Sequence, residues 1–184
     1  VSVTVTTTVL SATGDKTVLV DFGNASSFRG SSVANPDSNG NHWNSIWSGA
    51  YANNMIDSGG QVSTIGLGFS EAGASDYYNG PSGATADPAA VDIDITSLGS
   101  LGVQEAAYDF YASSKFTLQG LDSRRTYTLT FFGSRKFTAE SATIYTVYTS
   151  NDYAVAVASV TLNTRSPSNS SLHNRDTVVT ISNV

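Results

Sequence analysis

Apolar and polar residues alternate with a period of two along most of the chain, the signature of strands with one face turned to a core. In "KTVLVDFG", Val18, Val20 and Phe22 share a face. In "QVSTIGLGF", Ile65, Leu67 and Phe69 do so, opposite Ser and Gly. Val91, Ile93 and Ile95 alternate with Asp92 and Asp94 in "AVDIDIT", and "SKFTLQGL" sets Phe116 with Leu118. "TYTLTFFGSRKF" turns Tyr127, Leu129 and Phe131 inward and threonines outward, then stops at Gly133. Ala142–Ser150 and Ala154–Leu162 flank Asn151-Asp152, which predicts a hairpin. "DTVVTISNV" supplies a last strand, and "VQEAAYDFYAS" is the one ambiguous stretch.

Strands of this kind between Gly, Asn and Asp turns predict an all-β chain, an antiparallel, jelly-roll-like β-sandwich. The 184 residues fit one domain, 1–184, large enough to bury a core. The opening "VSVTVTTTV" carries Val and Thr on both faces, and residues 1–16 are expected to be an edge strand or the tail of a preceding module. "FRGSSVANPDSNGNHWNSIWSGAYANN", from Phe28 to Asn54, is long, polar and aromatic, and reads as a functional loop.

Composition narrows the functional classes. Charged residues make up 13% of the chain, against roughly 25% in an average soluble protein. Ser, Thr, Asn and Gly fill the deficit, so the surface hydrogen-bonds through neutral groups. A net charge of -6, with nine Lys plus Arg, lacks the basic stripe that a nucleic-acid binder needs. There is no cysteine for disulfide or thiolate chemistry, and no apolar run long enough for a spanning helix. The chain is therefore expected to be secreted or on a cell surface, with no membrane or nucleic-acid partner.

Catalytic patterns are weak. His42 and His173 are the available imidazole bases, and no G-x-S-x-G elbow accompanies them. Glu71, Asp76, Glu105 and Glu140 are scattered carboxylates with nothing marking the pair that a glycosidase requires. An enzyme is not expected, and no cofactor is required. Asp37, Asn39 and Asn41 stand at alternate positions around Gly40. That spacing has two readings, a structural calcium loop or a turn held by Asx side chains.

Aromatic residues are the stronger signal. Trp43, Trp47 and Tyr51 lie four residues apart, and Tyr77-Tyr78 stand in "SDYYNGPSG", read as a second loop. A sugar ring offers an apolar C–H face and a fringe of hydroxyls, so aromatic platforms with amides, carboxylates or guanidinium forks recognise it. Trp47, Tyr77, Tyr78, Asn79, Asp76, Arg29 and Arg135 are the candidate carbohydrate-binding residues, with Trp43 added. Trp43 has a second reading, favoured by tryptophan's usual burial, as a plug of the core. Arg135, just past a strand end, suits a carboxylate or sulfate; the competing reading pairs it with Asp21 or Glu140.

"VLVDFGN", "GNHWNSI", "NMIDSGG" and "FTLQGLDSRRTYTLTFFGSR…TIYTV" resemble β-sandwich domains of secreted bacterial proteins, distantly similar to malectin-like and galactose-binding-like modules. The resemblance runs from about Val18 to Val184. It implies a non-catalytic carbohydrate-binding module, monomeric and tethered to a glycoside hydrolase or lyase. The ligand it implies is a polysaccharide, an algal galactan such as agarose or porphyran. Similar chains continue past a motif like "TISNV" into a further strand; either the opening "VSVTV" is expected to fill that place or the module is cut short. An adhesive or structural domain of a bacterial surface protein is the alternative that the composition supports equally.

Overall fold

The computed structural model describes residues 2–8, 16–22, 33–46, 50–69, 75–78, 93–107, 109–112, 115–134, 142–164 and 173–184; for 2–8, 75–78 and 109–112 the description is of the backbone. Strands dominate, and two single-turn 3-10 segments, Gly99–Leu101 and Glu105–Ala107, are the helical elements among these residues. The chain is all-β, as the alternation predicts.

The main sheet has five strands: β1 (Ser2–Thr8), β2 (Lys16–Phe22), β3 (Trp43–Ile46), β9 (Thr126–Phe132) and β12 (Val179–Ile181), in the order β12-β9-β1-β2-β3. β4 (Tyr51–Ala52), β5 (Gly66–Phe69) and β8 (Phe116–Gln119) form a three-stranded sheet. β6 (Ser75–Tyr78) pairs with β7 (Asp109–Ala112), and β10 (Ala142–Tyr148) with β11 (Ala156–Asn163).

Two clusters lie on opposite faces of the main sheet. Val18, Val20 and Phe22 of β2 join Tyr127, Leu129 and Phe131 of β9 in the first. Ala52, Leu67 and Leu118 of the three-stranded sheet and Tyr145, Val147, Ala158 and Val160 of the β10–β11 hairpin cover it. Tyr145 stacks on Phe131 with ring centroids 4.1 Å apart. The alternate positions, Leu19 of β2 and Phe132 of β9, face the other way with Trp43. There Ile93, Leu98, Leu101 and Ala106 lie over them. Phe132 is therefore buried although its neighbour Phe131 points to the other core.

Several expectations hold. Val18, Val20 and Phe22 share a face, as do Ile65 and Leu67, and Tyr127, Leu129 and Phe131 are buried. The Asn151-Asp152 hairpin forms, with a register shift at Val147/Tyr148. Four are corrected. β1 is not an edge: it is hydrogen-bonded to β2 on one side and β9 on the other, so it fills the middle of the sheet. Its valines, Val3 and Val5, are registered with Val20 and Val18 of β2 and with Phe131 and Leu129 of β9. The sheet is not wholly antiparallel, because β2 and β3 run parallel, with Leu19 opposite Trp43. The stretch from Phe28 to Asn54 is not one long loop, since it contains β3 and β4. Residues 93–96 are not a strand, Val91 and Asp92 lying outside the described residues: the Asp94 carboxylate takes the Thr96 and Ser97 N–H groups and the Ser97 hydroxyl, which turns the chain and leaves Ile95 exposed while Ile93 is buried.

Candidate functional site

Trp43 resolves in favour of the core. It is 2% exposed, and its indole N–H donates to Asp37 Oδ2 at 2.9 Å. Its backbone N–H and C=O bond to the side-chain amide of Asn35. It offers no open face, which corrects its place among the binding residues. "SDYY" is corrected too: Asp76, Tyr77 and Tyr78 stand in β6, opposite Tyr111, Phe110 and Asp109 of β7, rather than in a loop. Arg29, Trp47, Asn79 and Arg135 lie outside the described residues.

Asp37 is the organiser of a turn. Its Oδ1 accepts the N–H groups of Asn39 and Asn41 at 2.8 and 2.9 Å, while Gly40 N–H donates to the Asp37 carbonyl. Asp57 repeats the arrangement: its Oδ1 accepts from Gly59 and Gln61, and Gly60 N–H donates to its carbonyl. Gly40 and Gly60 both sit near φ +80°, the left-handed region that the fourth residue of this turn needs. The two sequences, Asp-Ser-Asn-Gly-Asn and Asp-Ser-Gly-Gly-Gln, are one device used twice. No cluster of three potential metal-ligating His, Cys, Asp or Glu residues occurs among the described residues.

Burial pushes the Asp37 carboxyl up, but hydrogen bonds from the Trp43 indole and the Asn41 and Asn39 amides outweigh it, and the net shift is downward. Asp57 behaves alike: burial raises it, and the Gln61 N–H, Lys16 at 3.1 Å and the Gly59 N–H lower it further than burial raises it. A carboxyl depressed in the folded state stabilises fully above its unfolded value of 3.8, and that contribution fades as pH falls through the folded value. The melting temperature is therefore expected to stay level from about pH 7 to 5 and to drop below about pH 4. An Asp37→Asn, Asp57→Asn double variant melts lower at neutral pH and shows a shallower acid limb. Parallel acid limbs in variant and parent would overturn the assignment.

The three-stranded sheet exposes an aromatic that the sequence marks only by its spacing. Tyr51, Gly68 and Thr117 are registered across β4, β5 and β8, and so share a face; Gly66 and Gln119 share it one step along. The opposite face carries Ala52, Leu67 and Leu118 into the core. Tyr51 lies against β5 with the Cδ2–Cε2 edge of its ring where a Gly68 side chain would be. Tyr51 remains 52% exposed. Thr117 is half-buried and Gln119 exposed beside it. At the end of β8 nearest the hairpin tip, Lys115 Nζ stands 4.7 Å from the Tyr153 ring centre. Tyr153 meets Tyr148 edge to face at 5.3 Å. Tyr51, opposite Thr117 through Gly68, thus stands toward the same end of β8 as Lys115, and Gln119 lies at the other end. The signal for this was the pair of glycines opposite the core face of "IGLGF": bare backbone on a sheet surface calls for a covering ring.

No family model matches this chain, and neither a curated protein nor a solved structure does.

Proposed function

We propose that the chain is a non-catalytic carbohydrate-binding module, a two-layer β-sandwich that holds an attached enzyme on a polysaccharide. The outer face of β4, β5 and β8 is its contact surface. The observation that carries this is the half-exposed Tyr51, laid over Gly68 on the sheet face that Thr117 and Gln119 share. A pyranose stacks its C–H face on such a ring, and its hydroxyls meet a hydroxyl and an amide. Five of the described aspartates are occupied in turns, which supports a non-catalytic role: Asp37, Asp57, Asp94, Asp122 and Asp152 each hold the N–H of the residue two positions on. The resemblance of the chain points to an algal galactan, agarose or porphyran, as the polymer.

Affinity electrophoresis through gels containing agarose, porphyran, alginate, laminarin or xylan tests the reading. The protein is expected to be retarded in at least one, and Tyr51→Ala to lose about 1–2 kcal/mol of binding, roughly 5–30-fold. Tyr51→Phe keeps most of the retardation. Unchanged mobility of the parent in every gel would end the proposal.

An adhesive domain is the second reading. It draws on the β10–β11 hairpin, where Ile144 of β10, Val157 of β11 and Val155 in the connection between them are all more than half exposed, apolar surface suited to a protein partner.

A further inference from the structure

A cleft of about 410 Å³ opens where the turn after Asp37 meets the segment 95–102. That volume lies within the range of small-molecule sites, about 300–1,000 Å³. The cleft is on the other side of the main sheet from Tyr51: its segment continues from Ile93, Leu98 and Leu101, which pack on Leu19 and Trp43, whereas the Tyr51 sheet packs on Val18, Val20 and Phe22.

Its walls are preset. Asp37 fixes Asn39 and Asn41 through their backbone N–H groups, and Asp94 fixes Thr96 and Ser97 in the same way. The turns thus consume backbone donors and spare the side chains. The Asn39 amide and the Thr96 and Ser100 hydroxyls line the cleft, and none bonds to another described side chain. Asn41 makes one long contact, 3.4 Å, to Asp37. Ile95, more than half exposed, adds an apolar surface. No charged side chain is among the described residues that line it.

The geometry points to a second binding site here, for one or two units of a neutral sugar. Uncharged donors and acceptors on two walls match a ring of hydroxyls, and Ile95 matches its C–H face. An anion or cation would leave water without a counter-charge to meet it, which costs far more than a neutral polyol does. The ligand class rests on the carbohydrate reading above, whereas the location does not depend on Tyr51. With sites on opposite sides of one sheet, a single domain could bridge two polymer chains or grip one twice, multiplying retention without new contacts at either site.

Titration of the ¹⁵N-labelled protein with D-galactose, D-glucose and D-xylose, followed by two-dimensional NMR, separates the two sites. At least one sugar is expected to give saturable shifts at Asn39, Asn41 and 95–102. These persist in Tyr51→Ala and weaken by about tenfold or more in an Asn39→Ala, Ser100→Ala double variant whose spectrum is otherwise that of the parent. Shifts confined to Tyr51, Thr117 and Gln119 would overturn the second site and leave the first standing. Shifts confined to the cleft would keep the second site and displace the first. Saturable shifts at neither would remove the second site, leaving gel retardation to decide the first.

Discussion

Trp43→Ala is expected to lower the free energy of unfolding by about 3–5 kcal/mol, the range for removing a large aromatic from a packed core. The ring lies among Leu19, Val33, Leu101 and Phe132, and neighbouring backbone held in ladders cannot collapse fully into the space it leaves. The loss has a polar part as well. Asp37, itself buried, would lose its 2.9 Å indole donor while its other oxygen stays committed to the turn. Trp43→Phe isolates that part: it keeps most of the volume and should cost about 1–3 kcal/mol. A total stability of roughly 5–15 kcal/mol makes the first change severe. Urea denaturation reads both, as a lower midpoint with an unchanged slope. A Trp43→Ala midpoint equal to that of the parent would show that the indole is not a core element.

Deleting residues 1–8 is expected to abolish cooperative unfolding altogether. β1 is registered with β2 at six positions and with β9 at seven. Its removal opens two facing edges in the middle of the main sheet, each a row of unpaired N–H and C=O groups over a hydrophobic layer. The remaining chain should keep strand content by far-UV circular dichroism, lose its near-UV signal and bind a hydrophobic dye. A synthetic peptide of residues 1–8, added in excess, should restore part of the transition by strand addition. A deletion variant that melts cooperatively within a few degrees of the parent would overturn the central placement.

The layering was legible where a strand has one dry face. β9 and β2 announce themselves by strict alternation, and the β10–β11 hairpin by its Asn-Asp turn, because burial and turn chemistry act over two to five residues. β1 was misread because threonine presents both a methyl and a hydroxyl, so a Thr-rich strand looks half-wet on either side. The parallel pairing of β2 with β3 joins positions 24 residues apart, Leu19 with Trp43 and Asp21 with Ser45, and no local pattern encodes it. Ile95 shows local chemistry overriding alternation: the Asp94 carboxylate gathers two N–H groups and a hydroxyl, and the chain turns there.

The sites were harder to read than the core. Exposure of an aromatic depends on what lies across the sheet, so Trp43 and Tyr51, eight residues apart in one segment, end up on opposite sides of the burial line. Tyr51 owes its place to Gly68, 17 residues on, and the cleft joins turns more than 50 residues apart. Such meetings are set by the sheet order and not by composition.

The central strand also sets a timetable for synthesis. Thr8 at the end of β1 pairs with Thr126 of β9, 118 residues later. At about 5–20 residues per second the ribosome needs roughly 6–24 s to cover that distance. Throughout that interval β1 can join β2 but has one bare flank, and β-rich nascent flanks invite pairing with neighbouring chains. The rate of synthesis or a holding chaperone would therefore govern the yield of this protein more than its final stability does.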